Sequence, residues 1–266
     1  MRLYDAHNHL HSEELRFCRP EAFGAMDREG VARMVVNGTC ESDWPQVVEL
    51  ARKHPQVIPS FGVHPWRVME RSVDWLEKFQ ECLDSVSSAV GEIGLDRWIP
   101  GGDPGLQESV FVPQLRIAAE RDLPVSIHCL KAWGPLLEVL QRNPVPKCGF
   151  LLHSYGGSRE MIEPLAGLGA YFSFPGYFAW ERKSRQREVF RHVPIDRLLI
   201  ETDAPDQLLP PDLAEYSLVD PTSGKALNHP ANLSAVYRFV ARLMDKPVDL
   251  LVIQVEQNFN RLFVRF

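Results

Sequence analysis

Eight short apolar or β-branched segments recur along this chain, and stretches with helical spacing separate them. The predicted strands are residues 2–6, 31–36, 57–63, 89–93, 125–127, 149–152, 170–174 and 198–200. Parallel strands need long crossover connections, which are usually helices. The alternation therefore predicts an α/β fold with a parallel sheet, and eight such units most naturally close into a (β/α)8 TIM-type barrel.

An open, doubly wound sheet is the alternative architecture. That fold often carries a GxGxxG phosphate-binding turn after its first strand, and no such turn follows residues 2–6. A chain of 266 residues has room for two small domains, but single barrels commonly reach this size. We expect one domain over residues 1–266.

Helical spacing is clearest at residues 74–84, 107–121 and 233–244. Two connections are predicted as loops. Residues 99–105 are rich in Pro and Gly and are placed over a pocket, and residues 208–228 are rich in Pro and show no periodicity.

Charge and cysteine content limit the possible partners and compartment. The formal charge is −6, from 29 Lys and Arg against 35 Asp and Glu, so the chain lacks the overall positive charge of many nucleic-acid binders. The basic segment 182–187 is interpreted as a solvated helix face rather than a nucleic-acid contact. Five cysteines without CxxC spacing favour a reducing compartment. We expect a cytoplasmic protein with no membrane segment and no obligate protein partner.

A barrel places functional groups at the carboxyl ends of its strands. Metal-ligating side chains occupy these positions in the predicted strands: His7, His9, Glu92, His128, His153 and Asp203. His64 stands at a further strand end. A single histidine there is more often structural, but five or six of the nine histidines in equivalent places predict a metal site.

Four imidazoles and two carboxylates exceed what one tetrahedral ion needs, so we predict two divalent ions. His7, His9 and Asp203 are assigned to one ion. His128 and His153 are assigned to the other, and Glu92 bridges both.

Such a site predicts a hydrolase. Paired cations lower the pKa of a trapped water, and Asp203 can take the proton from that nucleophile and pass it to the leaving group. The alternative role for Asp203 is a helix N-cap, since Ala204-Pro205 follows it.

A series of motifs also resembles the TatD family of metal-dependent deoxyribonucleases, within the amidohydrolase superfamily. The motifs are Asp5-Ala6-His7-Asn8-His9, Gly62-Val63-His64-Pro65, Gly91-Glu92-Ile93-Gly94-Leu95-Asp96, Pro124-Val125-Ser126-Ile127-His128-Cys129, His153-Ser154, Glu201-Thr202-Asp203-Ala204-Pro205 and Asn258-Phe259-Asn260-Arg261-Leu262-Phe263. The resemblance covers nearly the whole chain. It implies a TIM-type barrel, a two-metal site at the six positions above, and hydrolysis of DNA phosphodiesters, often from the 3′ end. Zn²⁺, Mn²⁺ or Mg²⁺ is the implied ion, and four imidazoles favour the first two.

Other residues are candidates for holding substrate. Lys131 stands where the family often has Arg, and we expect it to contact a phosphate as a point charge. His64 has no place in the metal count, so we predict a role with substrate phosphate; a structural hydrogen bond under the loop is equally compatible. Bases could stack on Trp66, Tyr155, Tyr177 and Trp180, although packing in the core or rim is the commoner fate of such residues.

Three function classes remain open from sequence. The first is a DNA phosphodiesterase of the 3′–5′ exonuclease type. The second is a hydrolase of a small amide, lactone or phosphoester on the same scaffold. The third, a non-catalytic metal or nucleic-acid binder, does not account for an intact ligand set that includes Asp203.

Overall fold

Eight parallel strands form a barrel in the computed structural model of the protein, which describes residues 1–264. Neighbours in the barrel are also neighbours in the chain, so the strand order is β1 to β8. The (β/α)8 prediction is therefore confirmed. The strands are β1 (Leu3–Asn8), β2 (Val31–Asn37), β3 (Val57–Phe61), β4 (Ala89–Asp96), β5 (Val125–Leu130), β6 (Phe150–Leu152), β7 (Ala170–Pro175) and β8 (Leu198–Glu201).

Helices cover the outside of the barrel between successive strands. In residues 1–264 the α-helices are α1 (Arg19–Glu29), α2 (Trp44–Lys53), α3 (Trp75–Ser85), α4 (Pro104–Arg121), α5 (Trp133–Arg142), α6 (Ile162–Gly167), α7 (Ser184–Phe190), α8 (Leu233–Leu243) and α9 (Val248–Phe263). None of these helices combines the length and apolar content needed to cross a bilayer.

Two connections differ from the sequence prediction. The segment 208–228, predicted as a loop throughout, contains an antiparallel hairpin of β9 (Ser217–Val219) and β10 (Ala226–Asn228). Each strand has three residues, which is too short for period-2 alternation to be visible in sequence. The predicted loop 99–105 ends early, because Pro104 already begins α4.

The first and last barrel strands meet through a few specific hydrogen bonds. The backbone N–H of Asp203 donates to the carbonyl of His7 (3.0 Å), and that of His9 donates to Ala204 (2.8 Å). The buried carboxylate of Asp5 accepts from the backbone N–H (3.0 Å) and hydroxyl (2.6 Å) of Thr202. We call this junction between β1 and the end of β8 the seam. It brings residues 7 and 9 next to residue 203.

Helix α4 fixes the end of β4. The Asp103 carboxylate caps the helix by accepting from the N–H groups of Gly105 (2.9 Å) and Leu106 (3.1 Å). On its buried face, the Gln107 side chain accepts from the Asp96 N–H and donates to the Asp96 carbonyl, both at 2.9 Å. These two hydrogen bonds from the Gln107 side chain therefore fix the backbone of Asp96, the last residue of β4.

Strands β4 and β5 approach each other unusually closely. A Cβ atom on Gly94, which has a φ of 150°, would lie 2.0 Å from the carbonyl oxygen of His128. Only glycine fits there, because that φ disfavours a side chain and the space belongs to the neighbouring backbone. The register pairs Gly94 with His128, so this contact sets the position of a predicted metal ligand.

Candidate metal centre

The six predicted ligands converge at the carboxyl end of the barrel. They lie in or just after five strands, β1, β4, β5, β6 and β8, and all except the fully buried His7 line one cavity of about 710 Å³. We call this the main cavity. Closely spaced donor atoms link all six side chains: His7, His9, Glu92, His128, His153 and Asp203.

Four donor atoms form a first donor group. Nε2 of His7 lies 3.3 Å from Nε2 of His9. Both nitrogens lie within 3.5 Å of Oε2 of Glu92 and of Oδ1 of Asp203. A tetrahedral ion with ligands at about 2.0–2.1 Å needs donors roughly 3.3–3.4 Å apart. The spacing of this group therefore fits one tetrahedral cation.

Hydrogen bonds on the far side of each ring orient these two histidines. Nδ1 of His9 lies 2.7 Å from the carbonyl oxygen of Asn37, to which it donates. Nδ1 of His7 lies 2.8 Å from the Ser126 hydroxyl. With its Nδ1 protonated, His9 keeps the lone pair of Nε2, which is the arrangement that a metal ligand requires. Nδ1 of His7 also lies 3.1 Å from the side-chain amide nitrogen of Asn37.

A second donor group forms on the other oxygen of Glu92. Oε1 lies 3.0 Å from Nδ1 of His128 and 2.8 Å from Nε2 of His153. The two nitrogens are 3.2 Å apart. One carboxylate thus faces two histidine pairs with its two oxygens, and the bridging role of Glu92 stays a prediction.

Buried acids stand behind the second donor group, and the sequence reasoning did not identify their roles. Oδ2 of Asp96 lies 2.9 Å from Nε2 of His128 and also accepts from the Trp66 indole N–H (2.7 Å). Oε1 of Glu201 lies 3.7 Å from Nδ1 of His153. The Asp96 carboxylate therefore holds His128 in one tautomer and orientation, whereas the buried Nδ1 of His153 has no hydrogen-bond partner among the described residues.

The two carboxylate oxygens of Asp203 differ in their hydrogen bonding. Its Oδ1, which faces His7 and His9, is buried without a hydrogen-bond partner, whereas Oδ2 accepts from Nε2 of Gln207 (2.6 Å). Burial raises the pKa of Asp203 to about 7, against the lowering effect of nearby histidines. An orphaned, desolvated carboxylate oxygen beside two imidazoles calls for a cation.

The electrostatics of Glu92 are different. Burial alone would raise its pKa, but the surrounding imidazoles, led by His64 and His153, hold that pKa well below the usual carboxyl range. Glu92 is therefore ionised, with both oxygens available as ligands. The donor set as a whole, imidazoles with two buried carboxylates, fits divalent cations.

His64 also points at Glu92, with Nε2 3.4 Å from Oε1. It stands within ligand distance of His128 as well. However, Nδ1 of His64 accepts a hydrogen bond from the backbone N–H of Trp66 (3.1 Å). Burial lowers the pKa of His64 to about 4, so the neutral ring carries its proton on Nε2 and presents a donor rather than a lone pair.

Lys131 takes a different position from the other predicted residues. It is exposed just beyond β5, with a φ of 54°. Among the residues 1–264, those that line the main cavity do not include it. The structure therefore does not bring Lys131 into contact with the donor groups.

Comparisons with known proteins agree with this architecture. Residues 4–264 match the family model described as TatD related DNase. The 3′-5′ ssDNA/RNA exonuclease TatD of Erwinia tasmaniensis is 32% identical over 265 residues, covering 98% of this chain and 99% of that protein. An uncharacterized metal-dependent hydrolase of Bacillus subtilis, YabD, is 28% identical over 264 residues, covering 98% of each chain.

A solved structure gives the same result. The crystal structure of YjjV, a TatD homolog from Escherichia coli K12, superposes with a TM-score of 0.89 at 26% identity. The match covers 100% of this chain and 99% of that one. The resemblance predicted from the motifs is confirmed, and this chain belongs to the TatD-related DNase family of metal-dependent hydrolases.

Proposed function

We propose that this protein is a two-metal phosphodiesterase that shortens single-stranded DNA from its 3′ end. The observation that carries the proposal is the position of Glu92, whose two carboxylate oxygens face separate donor groups. A pair of neighbouring divalent cations suits the in-line displacement of phosphodiesters. The names of the relatives, 3′-5′ ssDNA/RNA exonucleases, support the direction and the substrate.

In this proposal His7, His9 and Asp203 hold one cation and His128 and His153 hold the other, with Glu92 between them. The cations supply Lewis-acid stabilisation of the phosphoryl oxygens and a water nucleophile available at neutral pH. Four imidazoles favour Zn²⁺ or Mn²⁺ over Mg²⁺.

Asp203 accepts the proton of the attacking water. Its Oδ1 lies beside the ring nitrogens of His7 and His9 without a hydrogen-bond partner, and a carboxylate placed there can act as a general base. Gln207 donates to Oδ2 of Asp203 and so holds the carboxylate in one rotamer. The proton then passes to the departing 3′ oxygen.

His64 acts as a hydrogen-bond donor to a phosphate oxygen. The contact from Trp66 to its Nδ1 leaves the Nε2–H as the donor of the ring, on the side that faces Glu92 in the lining of the main cavity. A neutral donor there binds the substrate without competing for a cation. Lys131, exposed outside the cavity lining, stays a prediction as an outer phosphate contact.

Hydrolysis of a small phosphoester, amide or lactone is the second candidate, and one observation favours it. The rim of the main cavity carries acidic side chains, namely Glu13, Glu14, Asp43 and Asp206. Such a rim repels a polyanion but admits a small ligand. We also propose a cytoplasmic location, which the five cysteines without CxxC spacing favour.

A substrate panel with metal-reconstituted protein separates these candidates. Single-stranded DNA labelled at its 5′ end is offered beside small phosphodiesters, amides and lactones. A ladder that shortens from the 3′ end and disappears in Asp203→Asn supports the nuclease, whereas turnover of small molecules alone contradicts it. Glu13→Gln is the control. It also removes one negative charge, but at the rim of the cavity, and is expected to retain activity.

Metal stoichiometry tests the bridging assignment. Wild-type protein is expected to bind two equivalents of Zn²⁺ or Mn²⁺, measured by titration calorimetry after chelation and dialysis. Glu92→Ala removes a ligand from both donor groups, so tight binding of both equivalents is lost. Two equivalents bound by Glu92→Ala with unchanged affinity would show that Glu92 is not the bridge.

A further inference from the structure

A second, smaller cavity adjoins the main cavity. Its volume is about 280 Å³, and we call it the side cavity. The two cavities share three lining residues, Pro205, Asp206 and Gln207. Because Gln207 also contacts Asp203, the side cavity begins next to the metal centre.

Two aromatic rings line the side cavity, and one of them, Tyr177, also packs against the hydrophobic core. Tyr177 and Trp180 are both half-buried. The indole N–H of Trp180 donates to the carbonyl of Leu208 (2.8 Å), and Arg187 donates to the carbonyl of Trp180 (2.5 Å). The turn that carries both rings is therefore fixed in place. Tyr155, by contrast, is fully buried and cannot receive a base.

Cationic side chains lie directly against these rings. The guanidinium of Arg182 is 4.5 Å from the Trp180 ring centre and 5.3 Å from that of Tyr177. Lys183 Nζ lies 4.6 Å from the Tyr177 ring centre. Lys225 also lines the cavity and is ion-paired with Glu14 (3.1 Å) and Asp206 (3.5 Å). Stacking surfaces and positive charges thus alternate over a short distance.

The main cavity has the opposite charge. Among the described residues that line it, Arg67 is the one Lys or Arg, and it is paired with Glu70 at 2.9 Å. A polyanion held at the metal centre therefore finds compensating charge in the side cavity and not along the acidic rim. Aromatic platforms beside cations are the usual means of binding single strands without sequence preference.

We propose that the side cavity binds the nucleotides of a single strand next to the phosphodiester that is cleaved. Bases stack on Trp180 and Tyr177, while Arg182 contacts a phosphate. The proposal rests on the proposed function, because it extends the same substrate beyond the metal centre. The proposal gives Arg182 a role that the rest of the basic segment 182–187 does not share. Arg185, for example, is exposed and lines neither cavity.

Binding of fluorescent oligonucleotides tests the proposal. An octanucleotide with phosphorothioate linkages at its 3′ end is titrated with metal-loaded protein, and anisotropy is measured at several salt concentrations. Trp180→Ala is expected to weaken binding about 5- to 100-fold through lost stacking, with the salt dependence unchanged. Arg182→Ala is expected to weaken binding and to reduce the slope of log K against log salt by about 0.7.

Arg185→Ala is the matched control, with the same charge change on the same segment, and it keeps wild-type affinity and slope. Circular dichroism spectra and urea-unfolding midpoints report that each of the three variants is folded. Octanucleotide binding by Trp180→Ala and Arg182→Ala that equals wild type overturns the proposal. If wild-type protein leaves strands uncut, the proposed function fails, and the binding curves still decide whether the side cavity binds a strand.

Discussion

Replacing Asp5 tests how the barrel is closed. Its buried carboxylate accepts hydrogen bonds from the Thr202 N–H (3.0 Å), the Thr202 hydroxyl (2.6 Å), the Asn8 amide (3.1 Å) and the His7 N–H (3.3 Å). Two of these donors belong to the segment that follows β8, and the others belong to β1. Asp5 therefore joins the two strands that meet at the seam.

The size of the effect follows from the donors left without partners. In Asp5→Ala, the N–H groups of Thr202 and His7 and the Asn8 amide lose their acceptor, whereas the Thr202 hydroxyl can rotate. At about 1–3 kcal/mol for each buried donor left unsatisfied, with partial relaxation, we expect a loss of about 3–5 kcal/mol. For a domain of this size that corresponds to a Tm lower by roughly 6–20 °C.

Urea unfolding followed by circular dichroism measures this loss. Asp5→Asn keeps one acceptor oxygen and places an amide against the Asn8 amide, so we expect an intermediate loss of about 1–2 kcal/mol. Asp27→Ala, which removes an exposed carboxylate from α1, is the control and stays near wild type. An Asp5→Ala midpoint equal to that of the control would refute this account of the seam.

Two further changes test the positions of the ligands. Asp96→Asn removes the ionised partner of His128 and is expected to lower metal affinity about 10- to 100-fold while the fold is retained; calorimetric titration with Zn²⁺ measures it, and an unchanged affinity contradicts the orienting role. Gly94→Ala forces a Cβ into the His128 carbonyl, 2.0 Å away, so we expect a loss of roughly 2–4 kcal/mol in urea unfolding. Gly134→Ala, with open space around its Cβ position, is the control, and equal stability of the two variants contradicts the close approach.

The positions of the candidate metal ligands were predictable, because a parallel barrel brings the carboxyl ends of all its strands to one rim. The apolar runs of β5 and β6 are recognisable in the sequence, and barrel topology then places His128 and His153, at the ends of these strands, on one rim. The β9–β10 hairpin was not predictable, because its strands have three residues each and, unlike the equally short but wholly apolar β6, do not form a continuous apolar run.

Hydrogen-bond partners were harder to predict than ligands. Asp96 and Gln207 reach the site through side-chain rotamers and through the register between neighbouring strands, which one sequence does not display. Asp96 faces His128 because β4 and β5 pair with Gly94 opposite His128. The role of Asp96 therefore becomes visible only once the register is known. The tautomer of His64 likewise depends on a backbone contact from Trp66.

The sharing of Asp96 has a consequence for communication across the site. A single oxygen, Oδ2, holds both the ring of His128 and the indole of Trp66, which is 55% exposed at the cavity mouth. Any molecule that tilts the indole changes the hydrogen bond to the imidazole, and any change at the imidazole is transmitted outward in return. Occupancy at the mouth and occupancy at the ligand His128 are thus thermodynamically reciprocal, each altering the affinity of the other by the same factor.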